Sequence, residues 1–153
     1  MAIVAAVDSS GRSEAVVAQA HELAEEYGVG LHVVHVADPT VDFREDFTDV
    51  SADALRVHNG KFSEEVVERV QAEATEVAEN AAAGVDGLEE YEAVGLVGDA
   101  AEVIRTYAAE HGAEYIVVSG RKRRPLGQVL FGSVTQSLLL NADCPVVAVP
   151  HDV

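Results

Sequence analysis

The chain of 153 residues contains no tryptophan, one cysteine, one methionine and four prolines, and it has no long apolar run. Its single cysteine, Cys144, cannot form an internal disulfide, and no metal-ligand spacing surrounds it. No segment approaches the roughly 18 consecutive apolar residues that suggest a membrane span. The sequence therefore argues against a disulfide-stabilised scaffold and against a membrane partner, and it predicts that Cys144 is a small buried hydrophobe.

Basic residues are also scarce. Ten Lys and Arg stand against 27 Asp and Glu, which gives a formal net charge of -17, and lysine occurs only at positions 61 and 122. Binding to nucleic acid is disfavoured, because it requires a positive surface. Since salt screens such self-repulsion, we hypothesise a halophilic origin, with an acidic protein from an ordinary cytoplasm as the alternative.

The length suits one domain, residues 1–153, and 48% hydrophobic residues argue against disorder. An apolar stretch begins at Ala2 without a positively charged region or cleavage site before it, so we expect a cytoplasmic protein. Apolar runs bounded by turn residues predict five strands, at Ala2–Val7, Leu31–Ala37, Tyr91–Val97, Glu114–Ser119 and Pro145–Val149.

Helical patterns fill the four gaps between these runs. The first has apolar residues at helical spacing and stops at Gly28. The second begins either at Ser63 or near Ser51, and we favour the earlier start. The third and fourth open on the capping pairs Asp99/Glu102 and Ser133/Gln136. Strands that do not alternate, joined by long crossovers, predict a doubly wound α/β domain with a parallel sheet and helices on both faces.

Ligands of such folds bind beyond the carboxyl ends of the strands, where the strand order reverses. Asp8 follows the first strand, and its carboxylate could accept hydrogen bonds from a ribose or an amine, or could simply stabilise the turn. The segment 119–135 is spaced by glycines, and positions 121–124 are all basic. Gly120 would free the backbone, while Gly132 and Ser133 open a helix whose N–H groups favour a phosphate. A solvated loop with paired arginines is the alternative.

Motifs for other chemistry are missing. The sequence contains no GxxxxGK[ST], GxGxxG, GxSxG, HExxH or CxxC. Its histidines are scattered, and His32 and His35 fall on opposite faces of one predicted strand. The sequence therefore offers no catalytic constellation.

The chain resembles the universal stress protein family over nearly its whole length. Val4–Asp8 is similar to the family's opening strand and turn, and His35-Val36 to the end of its second strand. The segments Ser119–Gln136 and Asp143–Val147 are similar to its carboxyl-terminal signature. The resemblance implies a five-stranded parallel sheet in the order 3-2-1-4-5, a dimer, and in one branch an ATP site marked G-x2-G-x9-G-[ST].

Carried onto this sequence, the resemblance implies that Asp8 meets the ribose or adenine and that Val36 meets the adenine through its backbone. It assigns the phosphates to Gly120, Gly132, Ser133, Val134 and Thr135. The chain departs from the motif because Arg123 replaces its second glycine and the interval from Gly120 to Gly132 is one residue short. We expect Gly127 to restore flexibility, and Arg121 and Arg123 to bind phosphate through their side chains.

These observations predict a stress-response module that binds ATP or a related adenine nucleotide, with a divalent cation such as Mg. A homodimer is expected to form through Pro145–Val149, since an unprotected edge strand would invite aggregation. Two alternatives stay open. One is a nucleotide-free interaction protein of the same fold, and the other is a slow ATPase, slow because no general base is evident.

Overall fold

The computed structural model describes residues 1–37, 56–57, 61–62, 64–123, 128–130 and 132–152. The loop predicted at Asp38–Val50 and the glycine Gly127 lie outside these residues. In chain order the elements are β1 (Ala2–Ala6), α1 (Ser13–Tyr27), β2 (Gly30–Ala37), β3 (Arg56–Val57), β4 (Lys61–Phe62), α2 (Glu64–Ala83), β5 (Glu92–Val97), α3 (Ala100–Glu110), β6 (Ala113–Arg123), β7 (Gln128–Leu130), α4 (Ser133–Asn141) and β8 (Val146–Asp152).

Five strands form a parallel sheet in the spatial order β5-β2-β1-β6-β8, and β7 adds to it antiparallel to β6. Numbered along the chain, the parallel strands stand in the order 3-2-1-4-5. The predicted doubly wound α/β fold and its strand order are therefore confirmed. The order reverses between β1 and β6, which is where this class of fold places its ligands.

The sheet is buried on both faces, which is why its strands do not alternate. On one face, Ile3, Val33 and Val117 pack with buried residues of α1 and α2. On the other, Val4, Val34 and Ile116 pack with α3 and α4. Cys144 is half-buried against this second cluster rather than fully buried.

Two predicted helix boundaries are confirmed. α1 ends at Tyr27 and is followed by the predicted stop Gly28, which has a φ of 66° in the left-handed region that glycine adopts without strain. Asp99 caps α3, and its Oδ1 accepts the N–H of Glu102 at 3.1 Å.

Two others are wrong. α2 begins at Glu64, as the Ser63 alternative predicted, because residues 56–57 and 61–62 form the antiparallel pair β3 and β4. In α4 the N-cap is Gly132 and no side chain caps the helix, so Ser133 is its first residue rather than its cap.

The largest correction concerns β6. The predicted strand stopped at Ser119, but β6 continues through Gly120 to Arg123. Pairing on both sides extends it: β8 runs along one edge, with Gly120 opposite Pro150, and β7 runs along the other, with Arg121 opposite Leu130. Gly120, Arg121 and Arg123 therefore lie in a strand, not in a turn.

The last strand also differs from the prediction of Pro145–Val149. β8 starts one residue later and continues through Asp152, so the tail prolongs the strand instead of covering its edge. The N–H of Ile116 donates to the Pro145 carbonyl at 3.0 Å. Backbone groups alternate along a strand, so those of Val147 and Val149 also face β6, while those of Val146, Ala148 and Pro150 face outward.

His32 and His35 lie on opposite faces of β2, as predicted. His32 Nδ1 is hydrogen-bonded to the Tyr107 hydroxyl at 2.6 Å, and burial lowers the pKa of His32 despite the nearby Glu92 carboxylate. His35 Nδ1 donates to the Val7 carbonyl at 2.7 Å. Within the described ranges, no helix combines the length and the apolar character needed to cross a membrane.

Candidate functional site

A cavity of about 170 Å³ opens where β1 leaves the sheet and β6 continues. At Arg121 and Lys122, β6 pairs with β8 on one side and with β7 on the other. β7 therefore occupies the same edge of β6 that β1 occupies nearer the amino end of the strand. The gap between the end of β1 and the start of this hairpin is the switch-point crevice. Its lining comes from five elements and the turn after β1: Ala6, Val7, Asp8, His35, Val36, Ala100, Ile104, Val118, Ser119, Val134 and Thr135.

Asp8 holds the turn that follows β1. Its Oδ1 accepts hydrogen bonds from the Ser10 N–H at 2.8 Å, from the Ser10 hydroxyl, and from the Ser13 hydroxyl at 3.0 Å. Its backbone N–H donates to Ser13 Oγ at 2.9 Å. Oδ1 is thus occupied by the turn, and Oδ2 is the oxygen left for a ligand.

The same contacts stabilise the ionised form of the Asp8 side chain. Burial alone would raise the pKa of Asp8, but the hydrogen bonds from Ser10 and Ser13 and the nearby Arg12 charge lower it more, so this pKa lies below its ordinary value. Asp8 is therefore a carboxylate at neutral pH. It can accept a hydrogen bond from a hydroxyl or an amine, and it repels a phosphate.

Arg12 is the cation beside this carboxylate. Its Nη2 lies 3.8 Å from Asp8 Oδ2, which is an ion pair but too long for a hydrogen bond. Its Nε is buried and has no hydrogen-bond partner within the described part of the chain. A buried N–H without a partner is unfavourable by about 1–3 kcal/mol. Arg12 could not be singled out from the sequence, because an arginine in a turn is usually solvated.

The amino end of α4 borders the cavity. Its first turn is fixed by Thr135, whose hydroxyl donates to the Ser119 carbonyl at 3.1 Å. That carbonyl faces the β1 side of β6, where β1 has already turned away, so Thr135 supplies the partner that the sheet no longer provides. Gly132 and Ser133 are exposed, which leaves the helix end open to solvent.

The charge around α4 distinguishes it from the other helices. An acidic residue lies in the first turn of α1, α2 and α3, at Glu14, Glu64, Glu65 and Glu102, whereas the first turn of α4 has none. The carboxylate of Asp99 already occupies the amino end of α3. In a chain with 27 acidic residues, the first turn of α4 is therefore unusual in adding no negative charge to the positive end of its helix dipole.

The structure brings together four of the predicted site residues, namely Asp8, Val36, Val134 and Thr135, around one cavity. Gly132 and Ser133 immediately precede the last two. Gly120 follows the lining residue Ser119, and the backbones of Arg121 and Arg123 run on into the hairpin.

Other lining residues were missed from the sequence. Ala100 and Ile104 belong to α3, and the turn before this helix was interpreted only as a cap. Small and branched apolar residues at these positions carry no chemical motif, so only the three-dimensional arrangement identifies them.

Asp8 also borders a second crevice, of about 260 Å³, between the start of α1 and α2. The residues that line this crevice include the polar Ser9, Ser10 and Asn80 and the apolar Val77 and Ala81. Across the described ranges, no group of three or more His, Cys, Asp or Glu side chains is arranged to hold a metal ion.

A doubly wound sheet with a cavity at its switch point, beside the amino end of a helix, is the architecture of the doubly wound α/β proteins. A sequence model described as the universal stress protein family matches residues 1–150. The chain belongs to the universal stress protein family.

Individual relatives agree with this assignment. A universal stress protein from Thermus aquaticus is 29% identical over 147 residues, which cover 96% of each chain. One from Mycolicibacterium smegmatis is 46% identical over 54 residues, and that match spans 35% of this chain and 42% of the relative.

Solved structures give the same result. A universal stress protein from Archaeoglobus fulgidus is 29% identical, with a TM-score of 0.55 and 97% of each chain covered. A universal stress protein from the same organism, solved in complex with dAMP, is 25% identical, with a TM-score of 0.51 and coverage of 97% of this chain and 96% of that one.

Proposed function

We propose that this protein binds ATP or a related adenine nucleotide at the switch-point cavity and acts as a dimeric binding module. The observation that carries the proposal is the first turn of α4, which lacks any acidic residue and borders the cavity. Unpaired N–H groups and the helix dipole make such a turn a suitable binding site for phosphate. The family relative that was solved with dAMP supports an adenine nucleotide as the ligand.

The Asp8 carboxylate and the positive amino end of α4 determine the orientation that we propose for the bound nucleotide. The Asp8 carboxylate repels phosphate but accepts hydrogen bonds through Oδ2, so it suits a ribose hydroxyl or the adenine amine. The phosphates then lie at Gly132, Ser133, Val134 and Thr135, and the backbone of Val36 meets the base. A cavity of about 170 Å³ is smaller than the roughly 300 Å³ of a typical ligand pocket. It suits the base and part of the sugar, leaving the phosphates outside.

Basic side chains complete the proposed site. Arg121 and Arg123 belong to the basic stretch at 121–124, and we propose that they bind the outer phosphates. Gly127, which was predicted from the sequence to restore the flexibility lost with the second glycine, lies outside the described residues. A divalent cation such as Mg would be held mainly by the phosphates and water, since the described residues offer no group of three ligands for it.

A nucleotide-free protein that holds inorganic anions or an acidic segment of a partner is the second candidate. The specific observation in its favour is the altered glycine motif, with Arg123 at its second glycine and an interval one residue short. Such a protein would keep an anion-binding site at the amino end of α4, but it would not recognise the adenine base.

Equilibrium dialysis separates the two candidates. We expect ATP and AMP to bind, ATP more tightly because it brings more charge to α4, and we expect inorganic phosphate to compete only weakly. Binding of phosphate and pyrophosphate without any preference for the nucleotides would favour the second candidate. If neither nucleotide binds at millimolar concentration, the proposed function is wrong.

We further propose that two copies pair through the strand predicted at Pro145–Val149. Among the described residues β8 pairs with β6 alone, and Val146 and Ala148 direct their backbone N–H groups outward. An antiparallel pairing about a two-fold axis at Val147 would place each Val146 opposite Ala148 of the partner subunit. The edge of the sheet would then be covered.

Replacing Ala148 with proline tests this pairing. The change removes an outward N–H and leaves the hydrogen bonds to β6 intact, so we expect a folded monomer in sedimentation and circular dichroism measurements. Val147→Pro is the matched control one residue away. It removes an N–H that faces β6, so it should lower the stability of the fold itself. An Ala148→Pro protein that remains dimeric would contradict the proposed interface.

A further inference from the structure

Two tyrosine side chains meet at the amino end of the sheet, away from the switch-point cavity. Tyr27 is the last residue of α1, and Tyr115 is the third residue of β6, next to Ile3 of β1. Their hydroxyl oxygens are 3.0 Å apart and hydrogen-bonded, and their ring centroids are 5.5 Å apart at an interplanar angle of 54°. Nothing in the proposed function uses this pair.

Both tyrosine side chains are at least partly exposed to solvent. Tyr27 is 50% exposed, and Tyr115 is partly buried where it packs against the core. The hydrogen bond with Tyr115 and the nearby Glu114 and Glu26 charges raise the pKa of Tyr27, so the Tyr27 phenol is neutral near pH 7. The backbones of α1 and β6 hold the two residues next to each other, although they are 88 positions apart in sequence.

We propose that Tyr27 and Tyr115 form an intramolecular dityrosine cross-link when the protein meets a one-electron oxidant such as a peroxidase acting with hydrogen peroxide. Each phenol loses one electron to the oxidant and one proton to solvent. The two phenoxyl radicals then form a carbon–carbon bond between the ring carbons ortho to their oxygens. The hydrogen on each of these carbons moves to the phenolic oxygen of the same ring, which restores the aromaticity of both rings. The net change is the loss of two hydrogen atoms and one new carbon–carbon bond.

The geometry favours coupling within one molecule over coupling between molecules. The reacting carbons are bonded to the carbons that carry the hydroxyls, and these hydroxyls already touch. Coupling requires the exposed Tyr27 ring to rotate until the two ring edges meet. Holding two reactants in contact replaces a collision between molecules with an internal step, which greatly raises their effective concentration. The product would connect the end of α1 to β6 covalently.

Treatment of the full chain with peroxidase and hydrogen peroxide tests the cross-link. We expect dityrosine fluorescence, an intact mass lower by two hydrogens, migration as a single chain on a denaturing gel, and a peptide joining Tyr27 to Tyr115. We also expect a higher urea midpoint, because the cross-link closes a long loop in the unfolded chain.

Tyr27→Phe should lose the fluorescence and the mass change while remaining folded, because it deletes one exposed hydrogen bond. Tyr91→Phe is the matched control: it removes a different tyrosine and should react like the unaltered protein. Cross-linked products that appear only as covalent dimers would overturn the proposal, and so would fluorescence that persists in both Tyr27→Phe and Tyr115→Phe.

Discussion

Replacement of Ser133 with aspartate is expected to weaken nucleotide binding at least about tenfold, a loss of about 1.4 kcal/mol, without destabilising the protein. Ser133 is the first residue of α4, so the new carboxylate would lie where the phosphates are proposed to bind. Two unit charges about 4 Å apart repel by about 4 kcal/mol at an effective dielectric of about 20, and a fraction of that is enough for the expected effect.

The same substitution should stabilise the helix. A carboxylate in the first turn of a helix contributes about 0.3–1 kcal/mol through the helix dipole. Binding and stability are thus expected to change in opposite directions, which a variant that merely damages the fold cannot reproduce. Titration calorimetry with ATP and a urea unfolding curve on the same protein measure both quantities.

Ser137→Asp is the control for charge. It places an identical charge on α4 about one turn further along, beside Asn141 and away from the cavity lining. We expect a much smaller loss of affinity. Equal losses in the two variants would mean that general repulsion, and not the amino end of α4, governs binding, and the proposed phosphate site would then be wrong.

Replacement of Gly95 with alanine is expected to destabilise the fold by about 3 kcal/mol, the upper end of the usual range for overpacking. Gly95 lies in β5 beneath α2, and a methyl group there would overlap the helix backbone at Gln71 and Thr75. The Gly95 carbonyl also accepts a hydrogen bond from Gln71 Nε2 at 3.1 Å. A backbone contact cannot relax as a flexible side chain can, so α2 would have to lift away from the sheet.

Urea unfolding of Gly95→Ala beside Gly30→Ala provides the test. Gly30 also lies in a strand, but a methyl group added there meets no atom within 4 Å, and its φ is not in the left-handed region. We expect the stability of Gly30→Ala to stay within about 0.5 kcal/mol of the unaltered protein. If Gly95→Ala unfolds at the same midpoint as Gly30→Ala, α2 does not rest on β5 as described.

Much of the fold could be predicted because the signals are local. Apolar runs mark the parallel strands since these are buried on both faces, and Asp99 and Gly28 mark helix ends through backbone rules that involve a few neighbours. The early start favoured for α2 was wrong because the segment before it forms the short pair β3 and β4, which has no local apolar signature.

The extension of β6 could not be predicted, because it depends on pairing with other strands. Gly120 and Arg121 have little strand propensity of their own. They are held in the sheet by β7 on one side and by Pro150 and His151, some thirty positions later, on the other. The site shows the same division. Asp8 and Val134 could be predicted because they follow a strand and begin a helix. Ala100, Ile104 and the ion pair of Arg12 with Asp8 become visible only when the chain is folded.

Pro150 has a consequence for how copies of this chain behave at high concentration. Because proline has no N–H and Pro150 faces outward, the open edge of β8 offers donors at Val146 and Ala148 and then an interruption. A strand added there can engage only a short stretch, and the net charge of -17 opposes stacking of further molecules. Beyond the pairing proposed for two copies, this edge is therefore a poor template for fibre growth, and the proposed dimers should stay dispersed in crowded solution.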